Sequence, residues 1–125
     1  MKHRAMTLDG QLIIGWYVQN FYGTLQHYII KDRVSHEIIP ETLSVESMKP
    51  DCKGDMIFMS IELDGVMTKG GDNVIAQWWD NKDNRSVFYS TANSRAEITY
   101  GLNSSDSFPL GDMSSRDLTI VGKQF

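Results

Sequence analysis

Nowhere in these 125 residues do apolar side chains recur at the helical period over three turns. β-Branched, aromatic and other apolar residues instead gather in short runs, each closed by a Gly, Asn, Asp or Pro turn signal. The stretch around which the rest is arranged is Gly70-Gly71-Asp72-Asn73-Val74-Ile75-Ala76-Gln77-Trp78-Trp79-Asp80, a turn that feeds a strand ending in two tryptophans. The run from Met56 to Leu63 precedes it, with the turn Leu63-Asp64-Gly65-Val66 between them. The turn Asp83-Asn84 and the run Ser86 to Thr91 follow it. Many short strands at close spacing specify a mainly β chain, as a sandwich or a small barrel. A barrel suits the acidic, helix-poor composition and removes sheet edges.

In chain order, residues 2–6 form a short run that ends at Asp9-Gly10, a hairpin signal. Leu12 to Phe21 reads as a long strand, with Gly15 marking a bulge or a close backbone approach. Leu25 to Ile30 is its partner. Asp32-Arg33 turns the chain into a third strand, Val34 to Ile39, which Pro40 stops because proline cannot donate to a ladder. Pro40 to Leu43 predicts at most one helical turn. Residues 46–55 have a linker composition, so the boundary is placed there: an N-terminal hairpin segment over 1–49 and a barrel segment over 50–125. Met56 to Leu63, Val74 to Trp79, Ser86 to Ser90, Ala96 to Leu102 and Leu118 to Val121 read as strands. Phe108 to Leu110 starts an edge strand or a helical turn.

The formal net charge of −4 argues against general nucleic-acid binding, which needs a basic face. One cysteine, Cys52, allows no internal disulfide and suits a reducing cytosol. No run approaches membrane-spanning length and no leader follows Met1, so a cytoplasmic protein is expected. Catalytic signatures are missing. Gly65 to Gly71 is glycine-rich and holds Lys69, yet a strand follows where a phosphate loop needs a helix. His3, His27 and His36 stand at no metal-ligand spacing. The carboxylates Glu62 with Asp64, and Asp80 with Asp83, flank turns and read as solvated. No enzyme, cofactor or metal is expected.

The aromatic residues carry more information. Trp16, Tyr17, Phe21 and Tyr22 cluster in the first hairpin, and Trp78 with Trp79 in the centre. Neighbours on a strand point to opposite faces, so one member of each adjacent pair faces outward. A two-stranded ribbon cannot bury both faces against one barrel. These six residues are therefore the expected interaction surface, and its first use is self-association. Lysine at Tyr17 or Phe21 is expected to break the assembly without unfolding the barrel.

Several segments together resemble phage-encoded YopX-like proteins. They are Lys2-His3-Arg4-Ala5, Asp9-Gly10-Gln11-Leu12, Gly15-Trp16, Ile39-Pro40-Glu41-Thr42-Leu43, Asp64-Gly65 with Gly71-Asp72-Asn73-Val74, Trp78-Trp79-Asp80, Ser107-Phe108-Pro109-Leu110 and Leu118-Thr119-Ile120-Val121-Gly122. Their order holds over nearly the whole chain. Departures fall at Met59-Ser60-Ile61-Glu62-Leu63, at Thr68-Lys69-Gly70 and in the short tail Lys123-Gln124-Phe125. The resemblance implies an SH3-like barrel over about residues 55–125 with an N-terminal β-hairpin extension, a phage or prophage origin, and self-association. It implies no activity. The expected function is a non-enzymatic accessory protein in the bacterial host cytoplasm, a homo-oligomer that engages a host or phage protein. The alternative is a small-ligand binder, holding a nucleotide-like molecule between subunits against aromatics and Lys2, Arg4 or Lys69.

Overall fold

A computed structural model of the chain describes residues 1–21, 23–76, 85–99 and 107–125. The strands are β1 (His3–Met6), β2 (Leu12–Phe21), β3 (Leu25–Lys31), β4 (Val34–Glu37), β5 (Ser44–Pro50), β6 (Met56–Ser60), β7 (Glu62–Leu63), β8 (Val66–Met67), β9 (Asp72–Ala76), β10 (Arg85–Ser90), β11 (Arg95–Thr99), β12 (Ser107–Pro109) and β13 (Leu118–Lys123). Among the described residues the only helical pieces are three 3-10 turns of three residues each: Pro40–Thr42, Leu110–Asp112 and Ser115–Asp117. None is long and apolar enough to cross a membrane.

One sheet carries the fold in the order β12-β11-β10-β6-β5-β1-β2-β3-β4, and it curls into a half-barrel. β10 is where it branches. Its first residues pair with β9, Arg85 opposite Val74, while Phe88 pairs in parallel with Ser60 of β6. β13 lies against β9 and extends the branch. Between the branches sits the larger core, including Val45, Ile57, Met59, Val74, Val87, Ile98, Leu110 and Leu118. A smaller core of Ala5, Ile13, Ile29, Ile38 and Leu43 lies under the β1–β3 end. Ile61 packs against both.

Turn chemistry sets the hairpins. Asp32-Arg33 and Asp64-Gly65 both hold positive φ at their two central residues, the geometry that matches the twist of paired strands. Gly15 answers a close approach: a Cβ there would lie 2.2 Å from the Ile30 carbonyl oxygen.

Two sequence expectations need correction. Residues 46–50, read as linker, continue strand β5, which pairs with β1 on one side and β6 on the other. Their polar residues make an irregular ladder. The register shifts between Glu46 and Pro50, Met48 takes φ 64°, and the Ser47 hydroxyl bonds the Ile57 carbonyl. Residues 51–54 then turn around Asp51, whose carboxylate accepts from the Lys53 and Asp55 amides. Second, Met56 to Leu63 is not one strand. β6 ends at Ser60, and β7 leaves to pair only with β8 because Ile61 N bonds the Thr68 hydroxyl.

Gly70-Gly71-Asp72 earns its central place by tying β1 to β6 and to the C-terminal segment. Arg4 Nη2 donates to Gly70 O at 2.9 Å and to Asp72 Oδ1 at 2.8 Å, and its guanidinium lies over the Phe58 ring. Asp72 Oδ2 accepts from Phe58 N at 2.8 Å. Gly71 N donates to the Ser60 hydroxyl, which donates to Gln124 Oε1, and Gln124 Nε2 donates to the Val87 carbonyl. Only glycine fits beneath this crossing, since a Cβ on Gly70 would lie 2.1 Å from Thr42 O.

Candidate interaction surface on the N-terminal ribbon

β2 has ten residues and β1 covers only its first four, so β2 and β3 run on together as a two-stranded ribbon. β4 pairs with β3 from Tyr28 onward, which leaves the tip around Phe21 and Leu25 in two strands. Alternation sorts the side chains. Ile13, Gly15 and Tyr17 face inward with His27 and Ile29. Leu12, Ile14, Trp16 and Val18 face outward with Tyr28 and Ile30, their cross-strand neighbours being Trp16–Ile30 and Val18–Tyr28.

The inner face is a packed polar cluster. The Tyr17 hydroxyl lies 2.5 Å from His27 Nδ1 and accepts from Gln19 Nε2 at 2.8 Å. The Tyr17 ring stacks on His27 and tilts against His3, with centroids 5.9 and 5.4 Å apart. Burial raises the Tyr17 pKa above 10.0, with the Asp64 charge adding to it against the Gln19 hydrogen bond. Burial also lowers that of His3 below 6.5, helped by the N-terminal charge and opposed by Glu46. Two of the three histidines thus meet through one tyrosine, a meeting that their sequence spacing did not announce.

On the outer face Val18, Tyr28 and Ile30 are half-buried, and the β2 row before Val18 is bare. Leu12, Ile14 and Trp16 are 40%, 42% and 57% exposed, and Phe21 at the tip is 73% exposed. On β1 the same face is covered, because residues 70–72 cross over Arg4; no described segment crosses it on β2. Of the expected surface, Trp16 and Phe21 stand exposed and Tyr17 is turned inward. Lysine at Tyr17 therefore attacks the small core, and Trp16 is the residue to change. Tyr22, Trp78 and Trp79 lie outside the described residues.

Other polar groups resolve as structure. Arg4, expected as a cation for a bound ligand, is buried and committed to Asp72, so it cannot serve that role. Cys52 is exposed, with Sγ 3.4 Å from the Thr119 hydroxyl. Glu62 and Asp64 lie at the β7–β8 turn and are exposed; Asp80 and Asp83 lie outside the described residues. Among the described residues the buried carboxylates are Asp51, Asp72 and Glu97. Burial works to raise Asp51 and Glu97, and their donors outweigh it and lower both: the Asp55, Ile120 and Lys53 amides for Asp51, and Arg95, Asn93, Ser107 and Ser90 for Glu97. Among the described residues no group of three His, Cys, Asp or Glu can hold a metal ion. A depression of about 410 Å³ beside β5 and β11 contains Lys49 and Arg95, but Lys49 bonds the Gly111 carbonyl and Arg95 bonds Glu97. Sequence reasoning had a signal for Asp72, which follows two glycines, and for Asp51, in an Asp-x-x-Gly turn. Glu97 gave none.

Comparison with known proteins leaves the geometry to speak alone: no family model, no curated protein and no solved structure matches the chain.

Proposed function

We propose that this chain is a non-enzymatic accessory protein of a phage or prophage, acting in the bacterial cytoplasm as an oligomeric interaction module. The observation that carries the reading is the bare row Leu12, Ile14 and Trp16 on the outer face of the ribbon. Contiguous exposed apolar surface of this kind marks interaction sites on soluble domains, and large aromatics such as Trp16 dominate interface energetics. The first occupant is a second copy. A flat strand face is self-complementary under a two-fold axis, so the row of one copy packs on the same row of the other. The remaining surface is left for a host or phage protein.

The ordered motifs shared with YopX-like proteins support the phage setting, and in this reading the half-barrel is an SH3-like one. The acidic balance supports a protein partner over duplex nucleic acid. The test is co-expression of two copies with different affinity tags. Wild-type copies purify together, and Ile14→Lys in both abolishes this by placing charge in a desolvated contact. Wild-type copies that purify apart overturn the reading.

A further inference from the structure

A groove of about 190 Å³ opens between the β7–β8 hairpin and the Pro40–Thr42 turn, beside the inner face of the ribbon. Leu63, Val66 and Met67 form apolar walls. Glu41 and Asp64 line it and are exposed to solvent, and among the described residues no lysine or arginine lines it. His27 lines it as well and is only 9% exposed.

The Tyr17 hydroxyl, which accepts from Gln19 Nε2, takes up His27 Nδ1. When the phenol donates to Nδ1, the hydrogen of the imidazole sits on Nε2. No described residue bonds Nε2, which leaves it as the polar atom the buried ring can offer to the groove. The groove thus combines two carboxylates, an apolar passage and one N–H donor.

We propose that this groove binds a single cationic side chain, arginine or lysine, carried by a partner polypeptide. The volume decides the size: small-molecule pockets run to about 300–1,000 Å³, and this groove holds one long side chain. The chemistry decides the type. Lysine and arginine combine a methylene stem, which suits Leu63, Val66 and Met67, with a charged head that suits Glu41 and Asp64. The net charge of −4 favours approach of a cation. The His27 Nε2–H selects the source. It needs an acceptor, which the backbone carbonyls of a peptide provide and a free polyamine lacks.

The experiment is an NMR titration of ¹⁵N-labelled protein at low salt, where exposed ion pairs are least screened. The probes are capped Gly-Arg-Gly and Gly-Lys-Gly, with capped Gly-citrulline-Gly as the neutral isostere and spermidine as the free polyamine. The expected result is saturable shifts at the His27 amide and at Leu63 to Thr68 with the cationic peptides, weakened about tenfold or more for citrulline and for spermidine. Glu41→Gln with Asp64→Asn weakens the cationic peptides to the same degree. Both side chains are exposed and asparagine accepts the positive φ of position 64, so this variant keeps its fold and its melting temperature. Trp16→Lys leaves the affinity unchanged, because it lies on the opposite face of the ribbon. No saturation below about 10 mM, equal binding of citrulline or spermidine, or undiminished binding by the double variant overturns the proposal.

Discussion

Among the described residues, ten buried apolar side chains of the half-barrel pack between two branches of the sheet; under the ribbon there are five. Both regions are alternating strands joined by tight turns. They differ in what lies over the second face. β9 and β13 fold back over β6 and β10, so residues such as Val74, Val87, Ile98 and Leu118 are fully enclosed. β2 and β3 have the small core on one side, and no described segment covers the other. Alternation tells each strand which residues share a face, and chain connectivity decides whether that face is covered. The Arg4–Asp72 lock is the polar joint between the two regions.

The largest expected effect is on that joint. Asp72→Ala strands a buried guanidinium and removes the acceptor of Phe58 N, at a cost of about 3–5 kcal/mol. Urea unfolding should show the midpoint falling for probes in both regions. A loss confined to one region would mean that the joint does not couple them. Next come paired cavities. Ile98→Ala and Ile29→Ala each remove a fully buried side chain and should cost about 2–5 kcal/mol. Ile98 should lie at the upper end, because its enclosed core cannot collapse, and Ile29 at the lower end, because the ribbon can settle onto the gap. A larger penalty at Ile29 breaks the comparison.

Acid should separate the regions more gently. His3 has a lowered pKa in the folded chain, so its contribution is complete above 6.5 and is lost as pH falls below that value. Asp51 and Glu97 are also lowered, but from 3.8 and 4.5, so their contribution in the half-barrel persists until pH falls through that range and below it. Tyr17 is raised from 10.0, and its contribution is lost only as pH rises past that value. Amide exchange should therefore show β1 and its neighbours opening at mild acidity while β11 stays protected. Simultaneous opening of β1 and β11 contradicts the assignment.

Much of this difference was legible in the residues. The ten-residue strand Leu12 to Phe21, the Asp-Gly turns and the close approach at Gly15 follow from local chemistry, and the structure has each of them, while the strand expected to run to Ile39 ends at Glu37, ahead of Pro40. The linker reading of residues 46–50 failed because they continue a strand whose first residues, Ser44 and Val45, are held by β1 and β6 together, and that support is invisible in a polar composition. Arg4 was misjudged for a related reason: its partner lies 68 residues away, and nothing near position 4 announces it. The Tyr17–His27 contact was equally hidden, since register across a hairpin decides which side chains meet diagonally. Strand alternation put Trp16 and Tyr17 on opposite faces, while which of the two is covered depended on the path of residues far along the chain.

The most direct test of the uncovered ribbon face is the solution mass of wild type and Trp16→Lys, measured by light scattering across a dilution series. The substitution is on a bare surface and should change monomer stability by no more than about 0.5 kcal/mol. Wild type should run at twice 14.2 kDa or more at micromolar concentration, and the variant at 14.2 kDa with an unchanged melting temperature once both are monomeric. A wild-type monomer, or a variant that still assembles, would contradict the reading of that face.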